Sequence, residues 1–323
     1  MKKFVASSAL AIALAVSLNS ASAADFDAEQ AIRGLVVAGE VETFSGFMAY
    51  GSSSGGAEFE DDTTQFVSGV LGRLSLPLGE NLSVQMDGEL EYSSTALIDS
   101  PQDDLFQSSF LFGGHLSWRN PETGLFGAFA SFGGGEHDND GESADNNFFA
   151  VGGEGQIYLD NLTFYVQGGH IDGGYPSVDN ANNDALRDAF FGRGVARWFI
   201  TPDSRFQAEF AYVDGTTDGG GDVSGMTIVE WGARYDTVIP GLPILGDSNV
   251  FVGYRGAHFD KDNSGGDPGE FVDHLVMVGF THRFGTQTIQ ETDRYGATLD
   301  LPNFGRDVAA PINEKAAVSD PAE

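Results

Sequence analysis

The 323-residue sequence contains no cysteine and only 11 prolines, and beyond residue 23 its only lysines are Lys261 and Lys315. Small exported domains usually depend on disulfides, so a chain without cysteine must hold itself together by burial or by closed backbone hydrogen bonding, for which about 300 residues suffice. Beyond residue 23 there is also no apolar stretch of the roughly 18 residues that a membrane helix needs. Any crossing of a bilayer must therefore use strands. Positive charge is scarce as well: after residue 23 there are 48 Asp and Glu against 14 Lys and Arg, a balance of 14 − 48 = −34. Such a chain repels nucleic acid and attracts cations.

The first 23 residues set the compartment. Lys2 and Lys3 precede the apolar run FVASSALAIALAVSL and the small-residue end SASA, the pattern of a secretory signal peptide cleaved after Ala23. The chain as a whole is rich in glycine (44) and phenylalanine (26), a mixture suited to strands and turns.

The stretch NLSVQMDGELEYS, 81–93, alternates at every step. Leu82, Val84, Met86, Gly88, Leu90 and Tyr92 interleave with Ser83, Gln85, Asp87, Glu89 and Glu91, giving an extended chain one apolar and one acidic face. Comparable segments recur at 40–50, 64–76, 107–119, 125–133, 147–159, 162–171, 187–200, 205–214, 224–238, 249–259 and 270–284, about twelve in all. Their connections alternate too. PLGEN, NPETG, DN and TPDS are short, and IPGLPILGDS is the one longer link among them. The other connections, 51–63, 95–106, 134–146, 172–186, 215–223 and 260–269, are long and rich in Gly, Asp, Ser and Asn. Short turns at one end and long loops at the other predict an all-β fold, a closed antiparallel transmembrane barrel of about 12 strands, rather than a sandwich with crossovers. Trp118, Tyr158 and Trp198 before short turns, and Phe126, Phe164 and Phe206 after them, predict an aromatic girdle at one membrane interface.

On this pattern the sequence resembles the outer-membrane β-barrel proteins of Gram-negative bacteria, porin-like in the broad sense, over about 40–284. In those families the last strand tends to end with glycine, an aromatic three residues on and a final phenylalanine; GFTHRF supplies Gly279, His282 and Phe284, with histidine at the aromatic position and thirty-nine further residues beyond it. The resemblance implies residence in the outer membrane, with lipid and lipopolysaccharide as surroundings. The implied organisation is a signal peptide at 1–23, a periplasmic lead-in at 24–39, the barrel at 40–284, and a periplasmic, partly disordered tail at 285–323, which has too few apolar residues for a domain.

Strand parity turns Arg73, Asp87, Glu89, Glu91, His115, Glu154, Arg193, Arg197, Glu209, Glu230, Arg234, Arg255, Asp273 and Arg283 into the lumen as channel-lining candidates. Arginine pairs bidentately with carboxylates in confined sites, so a mixed-charge network is expected. Twelve strands close at a backbone radius of roughly 12 Å. Arg193, Arg197, Arg234 and Arg255 should then form a basic stripe facing Asp87, Glu89 and Glu91 across a slot. The six long loops hold twenty acids against the single base Lys261, which favours entry of cations. The expected function is a narrow, cation-preferring diffusion channel for small ions or solutes; the alternatives are a sealed barrel acting as anchor or surface protein, and an outer-membrane hydrolase.

Two motifs bear on chemistry. His115 and Ser117 share a strand face, as base and nucleophile do in outer-membrane phospholipases, but the next strand, LFGAFASFG, offers no acid or amide to orient the histidine. A packed or channel-lining role is expected instead, with no catalysis. DKDNSGGDPGEF begins like a calcium loop with Asp260, Asp262 and Ser264, yet Phe271 stands where the bidentate acid belongs. A solvated loop with at most weak Ca²⁺ binding, and no other cofactor, is expected.

Overall fold

The structure is a computed structural model that describes residues 37–52, 63–94, 106–139, 142–173, 186–219, 222–242, 246–262, 269–302 and 304. The signal peptide and most of the lead-in lie outside these residues. Twelve strands follow one another in chain order: β1 (Ala38–Ser52), β2 (Thr63–Pro77), β3 (Leu82–Ser94), β4 (Phe106–Asn120), β5 (Gly124–Asn139), β6 (Glu142–Leu159), β7 (Leu162–Gly173), β8 (Leu186–Thr201), β9 (Ser204–Gly219), β10 (Asp222–Leu242), β11 (Gly246–Lys261) and β12 (Gly269–Phe284). Each pairs antiparallel with its neighbours, and β12 pairs with β1 from Gly39↔Phe284 to Ser52↔Phe271, closing the barrel without an edge. The wall begins two residues before the expected position 40.

Closure follows from the alternation. Along β3, Leu82, Met86 and Leu90 are exposed, while Gln85, Asp87 and Glu91 are buried. The same inversion runs round the barrel, with Phe47, Phe112, Val166, Phe190, Phe210, Val252 and Val278 on the outside. A mainly apolar exterior over a closed ladder fits the hydrocarbon of a bilayer, where every backbone group must be paired.

At the short-turn end, β6 and β7 are joined by Asp160 and Asn161 alone, with Asp160 in the left-handed region (φ 47°) that aspartate tolerates in tight hairpins. At the other end the sheet continues further than expected. The predicted loops 134–146 and 215–223 are largely ladder, since β5 and β6 pair out to Asn139↔Glu142 and β9 and β10 out to Gly219↔Asp222. Alternating backbone hydrogen bonds tolerate polar and glycine residues outside the membrane, so composition alone misplaces these ends.

Glycine has a packing role. The Phe44 ring lies over Gly69 of β2 and the Phe251 ring over Gly279 of β12, where an added Cβ would stand 2.4 Å and 2.5 Å from ring carbons. Large inward rings fit a twelve-strand lumen because the neighbouring strand offers no side chain beneath them.

Inside, the lumen has two layers. In its loop-side half it is an apolar core of Met48, Val67, Leu111, Phe148, Ile171, Val213, Ile228, Phe259 and Leu275. In its turn-side half it is polar. The mixed-charge network expected for the lumen is thus densest in the turn-side half, with Glu91, Glu230 and Asp273 standing among the apolar groups of the other. A second correction concerns the C-terminal stretch. Residues 286–302 and 304, expected as periplasmic tail, fold back through the turn-side mouth: Ile289, Thr292, Asp293, Ala297, Thr298, Leu299, Asp300, Leu301 and Phe304 are all buried. Their apolar groups are too few to build a core of their own, but the barrel supplies one. Residues 305–323 lie outside the described residues.

Candidate functional site

The returning stretch starts with helix α1 (Ile289–Tyr295). Its N-cap Thr288 accepts from the Glu291 N–H, and the Glu291 side chain reaches back to the Gln287 N–H, a capping-box arrangement that fixes a very short helix. Side chains of α1 tie it to the turns. Gln290 and Arg294 donate to the Asp160 carbonyl, both at 2.9 Å, and the Arg294 guanidinium lies over the Tyr158 ring at 4.4 Å. Tyr158 is therefore inward and buried, outside the girdle in which it was expected; Trp118, Phe126, Phe164, Trp198 and Phe206 do face outward, Trp118 and Phe126 stacked at 5.3 Å.

Beyond α1 the chain runs extended along the wall from β2 to β8, and the wall reads its backbone. Arg119 donates to the Gly296 carbonyl (2.7 Å), Arg197 to the Thr298 carbonyl (3.0 Å) and hydroxyl (2.8 Å), and Gln167 to the Asp300 carbonyl (2.7 Å). Two carboxylates of the segment carry the ionic contacts. Asp293 lies 2.9 Å from Arg197. Asp300 is met by three guanidinium groups: Arg197 at 2.8 Å, Arg73 at 2.9 Å and Arg193 at 3.4 Å. Burial alone would raise the Asp300 carboxyl above its ordinary range, but these arginines outweigh it and hold the group well below. Leu301 and Phe304 then enter the apolar half, Phe304 edge-on to Phe191 at 4.9 Å.

The expected lumenal residues all take inward positions on their strands, and the fold gathers most of them. His115 sits between two carboxylates, Nε2 at 2.6 Å from Asp87 and Nδ1 at 2.8 Å from Glu154, all buried. Both ring nitrogens are thus engaged, and the Ser117 hydroxyl pairs with Ser83 at 2.9 Å instead, so the His–Ser pairing of a hydrolase is not formed. Arg193 also reaches Glu209 (2.7 Å). Arg234 grips Glu42 of β1 through both terminal nitrogens (2.8 and 2.7 Å), binds Asp236, and lies 3.6 Å from the Phe251 ring. Arg255 crosses to Glu91 at 3.8 Å. The four arginines therefore do not form one bare stripe. Arg255 alone faces the β3 acids as expected, while the others are drawn to nearer carboxylates of the wall and the segment. Glu89 and Arg283 line the remaining cavity. Half-buried Glu230 and buried Asp273 belong to the inward rows of β10 and β12.

That cavity, about 140 Å³, lies beside the segment. Seven arginines line it (Arg73, Arg193, Arg197, Arg205, Arg234, Arg255 and Arg283) against six carboxylates, four from the wall and two, Asp293 and Asp300, from the segment. Glu40, Glu42, Gln85, Tyr165, Arg205 and Asp236 were not singled out in the sequence, although extending strand parity to the turn-side ends would have found them. Of the calcium-loop candidates, Asp260 and Asp262 are exposed and Ser264 lies outside the described residues. Among the described residues, no cluster of three or more His, Asp or Glu is placed to hold a metal ion.

The sequence matches no known family model and no curated protein. Among solved structures the barrel is similar to an outer-membrane channel from Pseudomonas putida F1, with TM-score 0.52, 12% identity, and coverage of 77% of this chain and 96% of that one. It is also similar to the translocator domain of the autotransporter NalP from Neisseria meningitidis, with TM-score 0.48, 12% identity, and coverage of 88% and 98%. At these identities the likeness is one of fold. With the apolar exterior and the closed ladder, it defines a transmembrane β-barrel of the outer-membrane type of fold.

Proposed function

We propose that this barrel is an outer-membrane channel for small solutes that rests closed, with its own C-terminal segment as the stopper. The observation that carries this reading is the docking of 288–302 inside the turn-side lumen, held mainly by polar and ionic contacts beside an arginine-lined cavity. A lumen that served only as a structural core would be expected to be apolar throughout; here the wall sets seven arginines against four carboxylates along the cavity, and Asp293 and Asp300 bring the carboxylates to six. The acidic loops favour cations at the outer entrance, whereas the constriction itself favours anions. The narrow point should dominate selectivity, so the cation preference expected from the loops gives way to an anion preference at the constriction.

Single-channel recording in planar bilayers tests this. The full chain should be mostly closed with brief openings, and Asp293→Asn/Asp300→Asn should raise the open fraction. A double variant that inserts yet never conducts would leave the sealed-anchor reading in its place.

A further inference from the structure

We propose, on the channel reading above, that Arg73, Arg193 and Arg197 form a binding site for a small dicarboxylate, and that Asp300 is its tethered stand-in. The first ground is geometry. Arg73 stands on β2 and the other two on β8, six strands apart in a ring of twelve, so the Asp300 carboxylate bridges opposite walls at the middle of the lumen. A solute moving along the axis beside the segment must pass this point.

The second ground is charge. The wall offers four carboxylates to the seven arginines of the cavity, and three of those four are already engaged: Glu40 with Arg73, Glu42 with Arg234 and Glu209 with Arg193. With Asp300 withdrawn, guanidinium groups from facing walls would confront one another across the lumen, an arrangement that a visiting anion stabilises.

The third ground is the shape of what is held. The wall grips Asp300 at two places, the side-chain carboxylate by the three arginines and the main-chain carbonyl by Gln167 (2.7 Å), with the Tyr165 hydroxyl, which donates to Glu154 at 2.6 Å, beside it at 3.2 Å. The carbons joining those two groups, Cγ–Cβ–Cα–C, are the skeleton of succinate. A four-carbon dicarboxylate would place one carboxylate in the arginine clamp and an acceptor oxygen of the other on the Gln167 donor, with no charged group left unpaired at the first end.

The experiment is competition in the unmodified full chain, read by hydrogen exchange of the amides at 296–301 in sodium succinate, sodium sulfate or sodium chloride of equal ionic strength. Succinate should displace Asp300 and speed exchange there by roughly tenfold relative to both inorganic salts, the factor equivalent to 1.4 kcal/mol. In Arg73→Gln the succinate effect should shrink to the level of sulfate. Exchange in succinate no faster than in chloride overturns the site, and equal acceleration by sulfate overturns the dicarboxylate. The readout needs no ion current, so a silent bilayer counts against the channel alone, and an absent succinate response counts against the site alone.

Discussion

The side-chain amide of Gln85 pairs with the backbone of Leu299 at both ends. Nε2 donates to the Leu299 carbonyl at 2.6 Å, and Oε1 accepts from the Leu299 N–H at 3.2 Å. The wall thereby holds the segment as a neighbouring strand would, through its backbone. Gln85→Leu removes both bonds and leaves two buried backbone groups unmet, at about 1–3 kcal/mol for each such group. Protection of the 299 amide should fall steeply in hydrogen exchange while amides of the β3 ladder keep theirs. Equal loss in both places would mean that Gln85 holds the wall rather than the segment.

Removing the central imidazole of Asp87–His115–Glu154 should harm the barrel itself. His115→Phe keeps a ring but strands two buried carboxylates, and breaking buried pairs of this kind costs about 3–5 kcal/mol. The midpoint of urea unfolding in lipid vesicles should drop accordingly. Asp87→Asn/His115→Phe/Glu154→Gln, which removes the charges together, should recover part of the loss.

The two faces of β3 should respond differently to charge. Leu90→Arg places a cation on the lipid side, at roughly 2–4 kcal/mol near the bilayer midplane. Glu89→Gln, inside, should leave folding largely intact. The difference in mobility between boiled and unboiled protein on a denaturing gel reports how much of each closes, and similar results for both would mean that the faces are reversed.

Ring-over-glycine packing makes another distinction. Gly279→Val drives a side chain into the Phe251 ring and the Thr43 carbonyl, which is 2.3 Å from the ideal Cβ, and overpacking of this kind costs about 1–3 kcal/mol. Gly192→Val on the exposed face of β8 meets nothing within 4 Å and should be neutral in the same vesicle unfolding assay.

Charge selectivity depends on Asp300. With Asp300→Asn the cavity keeps seven arginines and loses one of six carboxylates. Under a KCl gradient the reversal potential of the variant should move toward that of chloride relative to the unmodified chain, most clearly at low ionic strength, where the Debye length is about 30 Å at 0.01 M. A shift toward potassium would show that the acidic loops govern permeation.

The barrel was legible because its exterior is selected by lipid at every second position, so parity, turns and strand number can all be read from local sequence. The inward arginines and acids could be read in the same way. Their partners could not, since a buried guanidinium takes the nearest carboxylate in space, and for Arg73, Arg193 and Arg197 that includes Asp300, more than 100 residues away in sequence. The apolar upper lumen was overlooked although doublets such as Phe148–Phe149 and Phe190–Phe191 carry it, one ring outward and one inward. The segment 286–304 reads as a weakly apolar tail because Ile289, Leu299, Leu301 and Phe304 are spread too thinly to collapse together.

The β1–β12 seam is the one place where the wall is joined without a connecting turn, and so the place where a barrel could part sideways into the membrane. Arg234 spans it: rooted on β10, it reaches past β12, with Thr281 at 3.4 Å, to hold Glu42 on β1. Parting the seam would expose that buried pair to hydrocarbon in addition to breaking the ladder, a cost of several kcal/mol beyond the backbone bonds. The seam is thus latched from within, which disfavours lateral release into the bilayer and leaves the axis, where the C-terminal segment stands, as the route for anything that enters or leaves.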